Sequence, residues 1–195
     1  MENGRMDSVK KTRYFGKPGK QNTDALLEYV NEYVKKENVK NVVVASSTGE
    51  TGAKAAKMLK GINIVVVTHH HGFLQQGESE LKEEFKKDII ANGGRVFTGT
   101  HALSSAERAI RKQYGTLEPL ELIAYTLKLM GEGTKVCVEI TLMAADAGLI
   151  PMDQDVVAIG GTGSGADTAV RIKPTNAARL FELRIREVIA KPNDF

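Results

Sequence analysis

Tryptophan is absent from this chain, and cysteine occurs once, at Cys137. A single thiol rules out an intramolecular disulfide framework. Its surroundings, Val136-Cys137-Val138, are apolar. That setting suits a buried, inert thiol, whereas a reactive one needs an exposed, electropositive site. No apolar run approaches the roughly 18 residues of a membrane span. The amino terminus carries charges with no hydrophobic segment behind them, so neither a secretory signal nor a membrane partner is expected. A cytoplasmic protein is the default expectation. An excess of one charge is also lacking: 27 basic face 24 acidic side chains, for a net +3. Arg5, Lys10, Lys11, Arg13, Lys17 and Lys20 stand against only Glu2 and Asp7 in the first twenty residues, which leaves the remainder slightly acidic. The basicity belongs to a tail, and aromatic and basic residues do not interleave, so a nucleic-acid partner is not expected. With 42% apolar and 26% charged residues the chain is neither disordered nor collagen-like. Its 195 residues fit one domain.

What is present is an alternation of strands and helices. Leu26, Leu27, Val30, Tyr33 and Val34 have helical spacing within residues 22–37, with Asn22, Thr23 or Asp24 as caps. Val42-Val43-Val44-Ala45 reads as a strand buried on both faces. The pattern predicts an alanine-rich helix over 51–60, a second buried strand over 62–67, a charged helix over 79–91 and a third strand over 95–98. Two helices follow, over 103–113 and 118–130. A fourth strand is expected at Lys135 to Ile140, then a short helix at 142–147. A fifth strand is expected over 156–159 and a sixth over 170–173. A final helix over 175–190 would carry Leu180, Phe181, Ile185, Val188 and Ile189 on one face, with Glu182 and Arg186 paired. Residues 1–21 read as an extension and 22–195 as one domain. Such alternation implies a three-layer α/β/α fold on a mostly parallel sheet. The helical stretches 118–130 and 175–190 are candidate surfaces for a homo-oligomer. Folds of this type bind ligands at the carboxyl ends of their strands.

The segments after each strand therefore matter most. Ser46-Ser47-Thr48-Gly49-Glu50-Thr51-Gly52 follows the first strand and opens a helix. Small hydroxyl residues and glycine let backbone N–H groups approach an anion, and a helix amino end favours negative charge. No Gly-Lys-Ser/Thr closes the loop, so it is not a Walker loop. The same residues also suit an ordinary capped turn. After the fifth strand comes Gly160-Gly161-Thr162-Gly163-Ser164-Gly165-Ala166-Asp167-Thr168. Four glycines in six positions carry an entropic cost that a plain connector avoids, which suggests a second cradle. The other reading is a mobile surface loop.

All four histidines fall at two strand ends, in Thr68-His69-His70-His71-Gly72 and Thr100-His101. They read either as a pocket lined by imidazoles or as solvated loop residues. Adjacent strand residues point to opposite faces, and no Cys or carboxylate cluster stands at ligand spacing, so no metal is expected. Glu139 and Thr141 close the predicted fourth strand and would face the pocket, since a carboxylate there must be paired or hydrated. There is no Gly-x-Ser-x-Gly elbow and no Ser/His/Asp set in a recognised order. Glu78, Glu80, Glu83, Glu84 and Asp88 read as a solvated face. No catalytic residue is assigned.

Two of these loops carry a family resemblance. Val42-Val43-Val44-Ala45-Ser46-Ser47-Thr48-Gly49-Glu50-Thr51-Gly52 resembles the effector loop of the C-terminal α/β domain of pyruvate kinases. That loop reads Thr-x-Ser-Gly-Arg-Ser/Thr-Ala after a β-branched strand. A helix and a strand ending in Val67-Thr68 follow here as in the family. Gly163-Ser164-Gly165, then five residues, then Arg171-Ile172 is similar to the family's last loop. In pyruvate kinases both loops hold phosphates of a sugar bisphosphate. The middle of the chain, Gly99 to Ser105 and Glu139 to Gly148, resembles a stand-alone archaeal family of this fold, one that can carry flavin mononucleotide (FMN). The family's loop arginine is replaced by Glu50, which suits one phosphate better than two. A catalytic barrel is missing, so pyruvate kinase activity is not expected.

The resemblance implies a phosphorylated cofactor, FMN first, at the strand ends. Ser47, Thr48, Gly49, Glu50, Thr51 and Gly52 would cradle the phosphate. Gly161, Thr162, Gly163, Ser164 and Gly165 would close over it or hold the ribityl chain. Thr68, His69, His70, Thr100 and His101 would meet the ring or chain, with Glu139 and Thr141 nearby. A flavin would imply oxidoreductase chemistry. The alternative is a non-enzymatic sensor of a sugar phosphate or other phosphometabolite.

Overall fold

The computed structural model describes residues 9–195, Ser105 by its backbone alone. One mixed sheet of seven strands organises them. The strands are β1 (Arg13–Phe15), β2 (Asn41–Ala45), β3 (Asn63–Thr68), β4 (Arg95–Thr98), β5 (Val156–Gly160), β6 (Thr168–Lys173) and β7 (Arg184–Pro192). The helices are α1 (Thr23–Lys36), α2 (Glu50–Met58), α3 (Glu83–Ala91), α4 (Ser105–Tyr114), α5 (Pro119–Lys128) and α6 (Glu132–Asp146). The strand order is β1-β7-β6-β5-β2-β3-β4. Strands β5, β2, β3 and β4 run parallel, with Val43 opposite both Val65 and Ala158. Strand β6 runs antiparallel to both β5 and β7.

Alternation along β2 divides the interior. Val42 and Val44 join Leu26, Leu27, Val30, Ala55, Ala56 and Ile89 beneath α1, α2 and α3. Val43 joins Val65, Leu103, Val138, Leu142 and Ala158 beneath α5 and α6. A strand whose two faces are both covered is apolar throughout, which is why β2, β3 and β5 were legible as short apolar runs. Among the described residues no helix is long and apolar enough to cross a membrane.

Two expected elements are replaced. Lys135 to Ile140 is no strand: it lies inside α6, which continues through the predicted short helix to Asp146. Helix α6 packs on β2, β5 and β6 with α5 on its outer side, and eleven of its fifteen residues are buried. A helix covered nearly all round loses its polar stripe, and its apolar run then reads like a buried strand.

The expected helix over 175–190 is instead a 3₁₀ segment, Ala177–Glu182, followed by β7. The register accounts for the helix-like spacing. Ile172 pairs with Ile185, Arg171 with Glu187, Val170 with Val188 and Ala169 with Ala190. Arg186 and Ile189 are the extra residues at two bulges. Each bulge stretches the period of two and leaves apolar residues at helix-like intervals. Glu182 accordingly pairs with Arg179, while Arg186 approaches Asp155 at 3.8 Å.

Smaller differences bear on the site. Arg13–Phe15, inside the segment read as an extension, joins the sheet edge beside β7. Helix α3 begins at Glu83, which leaves residues 69–82 as a long loop after β3. Strand β6 begins at Thr168, two residues earlier than expected.

Candidate functional site

The parallel register of β5, β2, β3 and β4 brings their carboxyl ends to one edge. The chain leaves β2 toward β3 and β4, yet returns as β5 on the other side of β2. That reversal is the switch point at which such sheets hold ligands. The loops after β2 and β5 flank it.

The loop after β2 turns sharply into α2. Gly49 caps the helix with φ +93°, a conformation that favours glycine. The Ser46 hydroxyl accepts from the Gly52 amide at 3.2 Å, and the Lys82 amide donates to the Thr48 carbonyl at 3.0 Å. Gly52 itself is a packing residue: a Cβ there would stand 2.5 Å from Val66 Cγ1. Thr51 is buried beside it. Ser47, Thr48 and Glu50 are the partly exposed members of the loop. Glu50 accepts from Lys20 Nζ at 2.8 Å, and this hydrogen bond holds its carboxyl below the usual carboxylate range. Glu50 thus faces the segment before α1, which leaves Ser47 and Thr48 as the partly exposed hydroxyl residues ahead of the α2 amino end.

The loop after β5 is anchored by a carboxylate. Asp167 is fully buried and accepts from the Gly19 amide (2.9 Å), the Thr162 amide (3.1 Å) and the Thr168 hydroxyl (2.7 Å). A Cβ at Gly161 would meet the Gly165 carbonyl at 2.5 Å. One at Gly165 would meet Thr23 Oγ1 at 2.5 Å and Lys20 Cα at 2.6 Å. These two glycines let the loop fold on itself and on the segment before α1. Gly163 and Ser164 form the exposed tip. Thr162 Oγ1 is buried with no hydrogen-bond partner among the described residues. Lys20 links the two loops, its backbone against Gly165 and its ammonium on Glu50.

Three of the four histidines, His69, His70 and His101, converge as a cluster of rings, while His71 is exposed. His69 stacks on Phe73 with centroids 3.8 Å apart. His101 lies 5.4 Å from His69, 5.3 Å from His70 and 5.2 Å from Phe73. The Arg108 guanidinium sits 4.9 Å from the Phe73 centroid. Burial pushes the His101 imidazole down to about 4, against the opposing pull of Glu139. His69 is held from both sides: Nδ1 lies 2.6 Å from Glu80 Oε2 and Nε2 lies 3.2 Å from Ser47 Oγ. Thr68 Oγ1 lies 2.6 Å from Thr98 Oγ1, joining β3 to β4 beneath the rings. Among the described residues no three His, Cys, Asp or Glu side chains form a metal-binding group.

Two expected members take other places. Glu139 stands on α6, not at a strand end, and is buried. Its Oε1 accepts from the Leu103 amide at 3.0 Å and its Oε2 from Lys135 Nζ. It supports the turn that carries His101. Thr141 is fully buried and donates to the Cys137 carbonyl at 2.7 Å, a bond within α6 and away from any pocket. Thr100 is exposed. Glu80, expected on a solvated face, reaches back to His69. Phe73, Glu80 and Asp167 are members that sequence patterning passed over. The signal for Glu80 was the pair Gly72 and Gly77, whose φ values of +78° and +80° let the loop double back. Cys137 is buried as expected, on α6, and burial pushes its thiol far up.

A family model described as pyruvate kinase, alpha/beta domain, matches residues 24–172, which includes both glycine loops and all four histidines. The chain belongs to this family. Similar solved structures include a pyruvate kinase from Cryptosporidium parvum, 15% identical, with a TM-score of 0.38. The Cryptosporidium parvum enzyme in complex with ADP is 16% identical, with the same TM-score of 0.38. Each match covers 76% of this chain and 22% of the kinase, so the chain spans about a fifth of the length of those enzymes.

Proposed function

We propose that this domain binds a phosphorylated ligand, FMN first, at the carboxyl edge of its parallel strands. One observation carries the reading. The amino end of α2, with Ser47 and Thr48, lies on the same edge as a cluster of flat rings, His69, His70, Phe73 and His101. An anion site beside a stacking surface suits a molecule with a phosphate at one end and an aromatic ring system at the other.

The residues present fit that group. The buried Thr162 hydroxyl has no partner among the described residues, and a phosphate or ribityl oxygen would satisfy it. The amides after Ser47 would hold the phosphate. Phe73, His70 and His101 would meet the ring. When bound, a flavin supplies hydride and electron transfer, while the protein supplies position and electrostatics. His101, neutral down to about pH 4, would present an uncharged imidazole to that ring at neutral pH. Pyruvate kinase activity is not part of the proposal.

The test is discrimination of the phosphate. The protein should bind FMN about tenfold or more tightly than riboflavin, measured by quenching of flavin fluorescence. Thr48→Asp should abolish that preference. An aspartate ahead of a helix amino end favours the helix, so the variant stays folded while repelling an anion. Equal affinity for the two flavins in both proteins would sink the cradle. Stabilisation by a sugar phosphate with no flavin uptake would replace the flavin with the phosphometabolite reading.

A further inference from the structure

Ser47, His69 and Glu80 come from two loops, and the fold lines them up. Glu80 Oε2 lies 2.6 Å from His69 Nδ1. A carboxylate accepts only, so Nδ1 carries a proton, and in the neutral ring Nε2 then presents its lone pair. That lone pair faces Ser47 Oγ at 3.2 Å, so the serine hydroxyl donates to it. The arrangement supplies a nucleophile, a base in the correct tautomer and a carboxylate that fixes the tautomer. Nucleophile–base pairs commonly rest at such longer distances before substrate arrives.

The surroundings suit the same chemistry. Ser47 sits in the turn between a parallel strand and a helix, followed at once by the amides of Thr48 and Gly49. Backbone N–H groups just after a nucleophile, at a helix amino end, can hold a developing oxyanion. Phe73 stacks on the far side of the His69 ring and restrains it. The side chains of His69 and Glu80 are 31% and 23% exposed, open enough for substrate and water yet partly desolvated.

We propose that Ser47, His69 and Glu80 form a Ser-His-Glu hydrolytic triad acting on small carboxylic esters. Ser47 Oγ adds to the ester carbonyl carbon as its proton passes to His69 Nε2. The negative charge falls on the carbonyl oxygen, against the Thr48 and Gly49 amides. The bond to the alcohol oxygen then breaks, and His69 returns the proton to the departing alcohol. Water repeats the addition at the acyl-serine, which releases the carboxylic acid and restores Ser47. No redox partner is needed. Ser47 and His69 also lie in the proposed flavin site, but the triad does not depend on a flavin. Flavin uptake is read by its visible spectrum and ester cleavage by its own product, so failure of one leaves the other standing.

The experiment uses the full chain, p-nitrophenyl acetate as substrate and a fluorophosphonate as covalent probe. The fluorophosphonate should label the peptide that contains Ser47. Ser47→Ala should lose the label and at least about a hundredfold in kcat, as should His69→Gln. Glu80→Gln should lower kcat with KM unchanged, and Glu80→Asp should recover part of it. Each variant's thermal unfolding confirms its fold. Hydrolysis by Ser47→Ala at the wild-type rate, or a probe that leaves the wild-type Ser47 peptide unlabelled, overturns the proposal.

Discussion

Replacing His101 with glutamine should remove a specific acid sensitivity from the fold. His101 is 8% exposed, and its burial holds the imidazole near 4 instead of the ordinary 6.5. Glu139 favours its protonated form, whereas His69, Lys135 and His70 oppose it. In the unfolded chain the ring takes a proton near 6.5. The folded chain refuses that proton until about pH 4. The resulting stability is fully present above about pH 6.5 and is lost as pH falls toward 4. Each pH unit between the two values is worth about 1.4 kcal/mol. At pH 4 the native ring is half protonated, so the loss from this group comes to about 3 kcal/mol. Urea unfolding of wild type and His101→Gln at pH 7, 6, 5 and 4 measures it. Carboxylates such as Glu37 and Glu50, which also lose stability in acid, contribute equally to both proteins. The wild type should therefore lose about 3 kcal/mol more than the variant between pH 7 and pH 4. Parallel pH profiles would refute the claim that the folded protein keeps His101 neutral.

Three further perturbations test the frame around the site. Asp167→Ala strands the Gly19 and Thr162 amides and the Thr168 hydroxyl, and should lower stability by about 3 kcal/mol or more in urea unfolding. Gly133→Ala drives a Cβ to 2.2 Å from Thr168 Oγ1 and 2.5 Å from Thr168 Cβ, where the fully buried Thr168 cannot yield. A loss of about 1–3 kcal/mol is expected from thermal unfolding. Gly52→Ala should destabilise by a similar amount through Val66, and Val66→Ala in the same chain should cost less than the two changes added separately. Strict additivity would show that α2 and β3 do not meet at this point.

The parallel half of the sheet was readable because β2, β3 and β5 are short β-branched runs with both faces covered. The loops behind them followed from the alternation with helices. Local pattern failed where tertiary cover erased it. Helix α6 has no polar stripe because sheet and α5 enclose it, and β7 has no clean period because two bulges interrupt it. At the site, the clustering of His69, His70 and His101 was legible from strand ends alone. The place of Glu139 was not, since it depended on the helix missed there. Glu80 escaped for a different reason. Its partner lies across a loop that only positive-φ glycines allow to close, and a run of acidic residues gives no sign of which one turns inward.

The central proposal is a phosphorylated aromatic ligand at the carboxyl edge of β2, β3 and β5. The most direct measurement is the visible absorbance spectrum of the freshly purified full chain, followed by mass spectrometry of what heat releases. If nothing is carried through purification, the same spectrum is taken after addition of FMN and removal of the excess. The account predicts flavin bands that remain with the protein and a released mass equal to FMN. A protein that is colourless as purified and stays colourless after FMN is added would contradict it.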